Sequence, residues 1–399
     1  MSDDPFPIGT WALHPHPNLD FQLNRLVTLG GGRLEDVRPV APRIRSLRDW
    51  KRELLGLAEG ALLEERVLNA SAYLRAAEFF MPPSDPDKAA AYDQQAEMFR
   101  TWRAEDFRRG LAIESSVPFA GGTLPVWRLP AQAAQARSTV VVHGGYDSYA
   151  EELYPLLRRV AAEGYDVVFF EGPGQGAVVR KQGVPFTADW HRPVAAVLDA
   201  LGLEDVTLVG IPLGGCLALR AAAREPRIAR VIAFDVMWDL FDVALASRPA
   251  PVRAALRALL AAGAREPVDR LARREMRRDL LAEWGIEHGC LVLGVGGPAR
   301  YFERLRAFTT RDVSARVRQD VLLLAGSEDH FVPLAHYHRQ AAALTNVRSL
   351  AGRVFTRDES AQAHCQVGNL PLALRVMSGW IDERCAARPA ARRSRLAAA

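Results

Sequence analysis

Leu208-Val209-Gly210-Ile211-Pro212-Leu213-Gly214-Gly215 stands where the apolar run 206–210 (V-T-L-V-G) gives way to a helical pattern over 214–224. A short β-branched run, a glycine-rich turn and then a helix is the strand-to-helix join of a layered α/β sheet. Working outward, the same alternation recurs. Strand candidates lie at 111–118, 123–129, 138–143, 165–170, 230–235 and 320–325, with a strand-like run at 347–355 and a helical segment at 150–163. The later runs are short, continuous and rich in Val, as expected of strands buried on both faces of a parallel sheet. The fold class is therefore α/β, a mostly parallel doubly wound sheet.

The rest of the chain divides around this core, which spans 111–236 and 319–385. Residues 1–43 carry Pro5, Pro7, Pro15, Pro17, Pro39 and Pro42 with a Gly30-Gly31-Gly32 turn, and read as an irregular wrapping arm. Residues 44–110 place apolar side chains three and four apart (Leu54, Leu55, Leu62, Val67, Tyr73, Leu74) and read as a small helical domain. Residues 237–318 form a helical insertion expected to cap the carboxyl ends of the strands. Residues 386–399, A-A-R-P-A-A-R-R-S-R-L-A-A-A, are of low complexity and are expected to be disordered.

Composition narrows the function classes. The chain has 399 residues, a net charge of +4 and only three lysines (Lys51, Lys88, Lys181) among 51 basic residues. Acids are interleaved nearly one for one, so the arginine excess is background and a nucleic-acid partner is not expected. Cys216, Cys290, Cys365 and Cys385 are too sparse for a disulfide framework and lack zinc spacing. No apolar stretch approaches 18 residues and the start, M-S-D-D-P-F-P, is acidic. The expectation is a cytoplasmic protein with no membrane partner. No nucleotide fingerprint or metal spacing points to a cofactor. The apolar faces of residues 44–110 would suit a homodimer.

Four segments carry chemistry: V-V-H-G-G-Y-D-S at 141–148, F-E-G-P-G-Q-G at 170–176, the turn at 208–215, and the pair A-G-S-E-D-H-F-V-P at 325–333 with A-H-C-Q-V-G-N at 363–369. Each of the first three follows a strand. Their order, turn then acid then histidine, resembles the α/β-hydrolase superfamily. Over most of 50–385 the chain is similar to a subgroup with a helical N-terminal domain. That subgroup holds the esterase-like fermentation-respiration switch proteins, 2,6-dihydroxypseudooxynicotine hydrolase and fungal polyketide-shortening hydrolases. Glu151-Glu152-Leu153-Tyr154 after H-G-G-x-D-S also matches it. Several members cleave C–C bonds between carbonyls, so the resemblance implies a carbonyl substrate.

One departure dominates. The family motif is G-x-S-x-G, whereas 210–214 reads Gly-Ile-Pro-Leu-Gly. Pro212 has no hydroxyl, thiol or ionisable proton, so it cannot form a covalent intermediate. Its ring fixes φ near −65°, which excludes the strained positive-φ turn of a nucleophile elbow. A relaxed turn is therefore expected. The resemblance places one oxyanion-hole donor on Leu213 N–H and the second on Gly145 or Tyr146.

The rest of the triad persists. Asp329 follows a buried strand and His364 lies in a loop after 347–355, so the pair reads as an oriented acid–base dyad. His330 is the weaker rival. His143 is expected to prop its loop. Asp147 and Ser148 read as a turn cap, with substrate contact the other reading. Glu171 and Gln175 are expected to shape their turn. Asp235, Trp238 and His288 are candidate substrate contacts beneath or within the cap, and Trp284, Tyr301 and Phe302 divide between core and lining. Cys216 should be core, and Cys365, adjacent to His364, should point away. Three functions are open: non-covalent acid–base chemistry on a carbonyl metabolite of polyketide or peptide origin; hydrolysis of a C–C or ester bond by another nucleophile or direct water attack; and a silent ligand-binding scaffold.

Overall fold

The computed structural model describes residues 6–387. Eight strands form one sheet: β1 (Ile113–Phe119), β2 (Gly122–Leu129), β3 (Thr139–His143), β4 (Asp166–Phe170), β5 (Val206–Gly210), β6 (Ile228–Phe234), β7 (Asp320–Gly326) and β8 (Ser349–Phe355). Their order is β1-β2-β4-β3-β5-β6-β7-β8. β2 runs antiparallel to both β1 and β4, and every pairing from β4 to β8 is parallel. The central strands β4, β5, β6 and β7 are buried along their whole length, which is why they read as unbroken apolar runs.

Before the sheet come α1 (Pro17–Thr28), α2 (Leu34–Val40), α3 (Leu47–Leu63), α4 (Val67–Phe79), α5 (Lys88–Trp102) and α6 (Ala104–Arg108). Within and after it lie α7 (Ala150–Ala162), α8 (Gly176–Gln182), α9 (His191–Leu201) and α10 (Leu213–Ala222). The insertion between β6 and β7 holds α11 (Leu240–Ala244), α12 (Ala250–Ala261), α13 (Arg265–Met276), α14 (Leu280–Leu293) and α15 (Pro298–Leu305). The chain closes with α16 (Ala335–Ala343) and α17 (Leu370–Ala386). No helix among the described residues is long and apolar enough to cross a membrane.

One expectation about the ends needs correction. Residues 6–43 are not an irregular arm, because α1 and α2 occupy much of their length. Pro17 sits in the first turn of α1, where its missing N–H would lack a partner anyway. Leu19, Leu23, Leu26 and Val27 then bury one helical face in a cluster with Trp50, Leu54 and Tyr73. At the other end α17 runs through Ala386, and residues 388–399 of the expected tail lie outside the described residues.

A buried carboxylate ties the N-terminal helices to the sheet domain. Glu78 of α4 is fully buried and receives Lys88 Nζ at 2.7 Å, Arg180 at 2.5 Å, Tyr149 Oη at 3.0 Å and Arg75 at 3.3 Å. Removing one partner of such a buried pair costs about 3–5 kcal/mol, since it strands an uncompensated charge. The cap meets the same helices through Trp284, whose ring stacks on Phe79 at 4.7 Å and whose Nε1–H donates to Phe79 O at 2.8 Å.

Candidate active site

The site lies where β3, β5, β6 and β7 end beneath the cap. At the end of β5 the backbone turns sharply into α10. A Cβ on Gly210 would sit 1.9 Å from Gly214 O, so only glycine fits there. Ile211 N–H donates to His143 O at 3.2 Å and Gly215 N–H to Pro212 O at 2.9 Å. Pro212 itself has φ −68° and ψ −46°, an ordinary helical conformation. The turn is thus relaxed, and the position where a nucleophile would stand presents a pyrrolidine ring to the cavity.

The loop after β3 faces this turn closely: a Cβ on Gly145 would lie 2.6 Å from Ile211 O and 3.0 Å from Leu213 N. Ser148 Oγ accepts from Gly145 N–H at 3.2 Å. Gly145 is therefore engaged within its own loop, a correction to its reading as an oxyanion donor. Leu213 N–H, at the start of α10, has no acceptor within the helix, and Tyr146 is the remaining candidate on the loop. Gln175 Nε2 braces the loop by donating to Gly144 O at 2.6 Å. Glu171 accepts from Ala150 N–H and Ala177 N–H, at 3.2 and 2.7 Å. Burial and the neighbouring Glu151 push the Glu171 carboxyl up to about 7. His143 is fully buried, shares a 3.1 Å contact with Gly144 O, and is pushed by burial down to about 4, so it is a neutral prop.

The dyad is assembled from two strand ends. His364 Nδ1 lies 2.6 Å from Asp329 Oδ2, and Asp329 Oδ1 accepts the Phe331 and Val332 N–H groups at 2.8 and 2.9 Å. Burial opposes charge on both groups, but their mutual attraction wins. The imidazole is held well above its ordinary value and the Asp329 carboxyl below its own. Nε2 is left for the cavity that the ring lines. His330, pushed by burial down to about 4, contacts Asn18 Oδ1 at 2.8 Å and joins the aromatic packing of Phe21 and Phe331.

Of the other candidates, Asp147 and Ser148 border the cavity, as do Trp284, Tyr301 and Phe302. Three expected substrate contacts are corrected. Asp235 is buried behind the histidine turn, where Oδ2 accepts Cys365 N–H at 3.0 Å. Trp238 lies outside the lining, its N–H donating to His336 Nδ1 at 3.2 Å. His288 also lies outside it. Burial pushes His288 down to about 4, it stacks on Trp284 at 5.3 Å, and Nε2–H donates to Tyr146 O at 2.9 Å. Cys216 is core, with a thiol raised to about 12 by burial. Cys365 departs from its expected outward orientation. It takes φ +50° and borders the cavity with His364, though burial raises its thiol and opposes a thiolate.

The cavity has a volume of about 630 Å³. Leu240, Val243, Leu256 and Val268 from the cap make much of its wall apolar. What the sequence reading missed is α1. Phe21 packs edge-on against His364 at 6.0 Å, and Gln22 and Arg25 also reach the cavity. Arg25 pairs with Asp147 at 3.0 Å and Glu152 at 2.7 Å, while Arg75 donates to Asp147 O at 2.5 Å. The helical spacing of Leu19, Leu23 and Leu26 could have revealed α1. Nothing local could have revealed the Arg25–Asp147 pair, 122 residues apart.

Comparison with known proteins agrees with this fold. The chain is 30% identical over 341 residues to the hydrolase LUC6 of a Fusarium species, covering 79% of this chain and 80% of that protein. It is 28% identical over 348 residues to the hydrolase acrC of Aspergillus aculeatus, at 79% and 80% coverage. The solved structure of 2,6-dihydroxy-pseudo-oxynicotine hydrolase superposes with a TM-score of 0.61 at 21% identity, over 90% of this chain and 95% of that one. AbyA5 gives a TM-score of 0.65 at 20% identity, over 90% and 93%. The sequence pattern of the alpha/beta hydrolase family matches residues 139–363, more than half of the chain, and this protein is a member of that family.

Proposed function

We propose that this protein is an α/β-hydrolase-fold enzyme that works without a covalent nucleophile, moving protons with the Asp329–His364 dyad on a carbonyl metabolite. The observation that carries this reading is the pairing of a 2.6 Å dyad, open to the cavity, with a proline at the nucleophile position. Asp329 favours the imidazolium form of His364. Its Nε2–H donates to a carbonyl oxygen or leaving group, and its neutral form takes a proton from carbon next to a carbonyl. Leu213 N–H, with Tyr146 N–H, faces the oxygen on which charge develops. Cyclisation, elimination, isomerisation and C–C cleavage all pass through such an enolate-like species. The apolar wall and the volume suit a medium-sized polyketide or peptide intermediate, met in the cytoplasm with no nucleic-acid or membrane partner.

A second reading has His364 activating water for C–C or ester hydrolysis; the fungal relatives, named as hydrolases, favour it. Turnover of carbonyl metabolites by the wild type and His364→Ala tests the first reading, with mass spectrometry of the quenched enzyme. We expect the variant to lose about 10²–10⁴-fold in kcat and the wild type to carry no adduct. Unchanged turnover in His364→Ala, or a trapped adduct on Cys365 or Ser148, would overturn it.

A further inference from the structure

Asp235 has no task in the chemistry above. It follows β6, is 1% exposed, and lies off the cavity wall. Yet the histidine turn converges on it. Cys365 N–H donates to Oδ2 at 3.0 Å, Gln366 Nε2 reaches Oδ1 at 3.4 Å, and His364 Nδ1 stands 3.9 Å from Oδ2. Cys365 and Gln366 both hold φ +50°. Non-glycine residues take that left-handed conformation at a cost of about 1 kcal/mol or more each, and keep it only where their surroundings impose it. Asp235 contributes to that constraint, beside the backbone bonds from Gln366 N–H to Ala363 O and Val367 N–H to His364 O. Two carboxylates from adjacent strands therefore face the same ring nitrogen, Nδ1: Asp329 after β7 at 2.6 Å and Asp235 after β6 at 3.9 Å.

We propose that Asp235 is a second acid partner of His364, a positioning residue that holds the histidine turn and takes over support of the imidazolium when Asp329 is neutral. The proposal rests on His364 being the proton-transfer group of the proposed function, but on no property of the substrate. Two carboxylates this close in a buried site do not both ionise cheaply, so they hold one negative charge between them. Burial and the charge on Asp329 push Asp235 up to about 8, so at neutral pH the charge sits on Asp329 and the proton on Asp235. Neutralising Asp329 removes that repulsion. Burial still opposes its charge, but Asp235 then ionises more readily, and its Oδ2 stands 3.9 Å from Nδ1. The other ionisable groups facing the ring are His330, beside Asp329, and the Cys365 thiol on its own turn. α1 contributes the uncharged Phe21 ring, and the β5 turn contributes Pro212.

The test is an NMR titration of His364 in the full-length protein labelled with ¹³C-histidine, assigned with His364→Gln. The samples are wild type, Asp329→Asn, Asp235→Asn and the double variant. Asp329→Asn is expected to lower the proton affinity of His364 by about tenfold, and adding Asp235→Asn to lower it by about tenfold more. Coincident curves for Asp329→Asn and the double variant would mean that Asp235 is only a structural anchor, and would overturn the proposal. If a variant loses its near-UV circular dichroism, ¹³C-carboxyl titration of the wild type decides. Asp235 and His364 must share an inflection, and an Asp235 curve without one refutes the pairing. Because no turnover is measured, failure here is distinct from failure of the proposed function, which the His364→Ala assay reports.

Discussion

Two short turns at the carboxyl ends of the sheet face one cavity, and they differ in backbone strain. The turn after β5 is relaxed, with Pro212 in an ordinary helical conformation. The turn carrying His364 is not, with two successive non-glycine residues at φ +50°. In an α/β-hydrolase the strained turn is the one that presents the nucleophile. Here the strain, and the contacts that hold it, belong to the histidine instead. Strain is retained only where something enforces it. The contrast supports the proposal that the working geometry lies at His364 and not at residue 212.

The sharpest way to break this contrast is Pro212→Ser. The wild type should not react with a fluorophosphonate probe, whereas Pro212→Ser should label, as read by intact-protein mass spectrometry. Serine frees φ, and the close glycine contacts at 210 and 145 remain. A variant that stays unlabelled would show that the whole turn, beyond one missing oxygen, has been remodelled.

A smaller effect is expected in the pH dependence of stability. His364 binds its proton more tightly folded than unfolded. Its stabilisation is full below about pH 6.5 and is lost as pH rises through the folded value. Asp329 has the opposite sign: its contribution is present above about pH 3.9 and is lost as pH falls through its lowered folded value. Relative to His364→Gln, the unfolding free energy of the wild type should therefore fall on the alkaline side, by about 1.4 kcal/mol per pH unit until the folded value is passed. Urea unfolding of both proteins across that range measures it. A constant difference would mean that the ring is not held charged.

The smallest effect concerns the strain itself. Cys365→Gly should raise stability by about 0.5–1 kcal/mol, because glycine takes positive φ at no steric cost. Thermal melts of the two proteins check this. A destabilised variant would mean that packing of the thiol outweighs the backbone cost.

The layout of the sheet was legible because its signals are local. Val206–Gly210 matches its predicted run, and β3, β4 and β7 differ by a single residue at one end. Asp329 and His364 were legible because each sits in a motif directly after a strand. α1 was obscured by counting Pro15, Pro17, Pro39 and Pro42 as breakers, although Pro17 occupies a first-turn position that tolerates it. The errors at Asp235, Trp238 and His288 share a different cause. Asp235 is placed near the cavity by topology and Trp238 and His288 by their position in the cap, but side-chain direction depends on partners far along the chain. For Asp235 the partner is the turn 130 residues later, and for His288 it is the loop 142 residues earlier. No local periodicity encodes such pairings.

The stack from Phe79 through Trp284 to His288, ending at Tyr146 O, has a kinetic meaning. A cap that swung outward to admit a substrate would pull the His288 donor off the loop whose N–H groups face the reacting oxygen. Under the proposed function, order in the Tyr146 loop would then depend on the cap being seated on it.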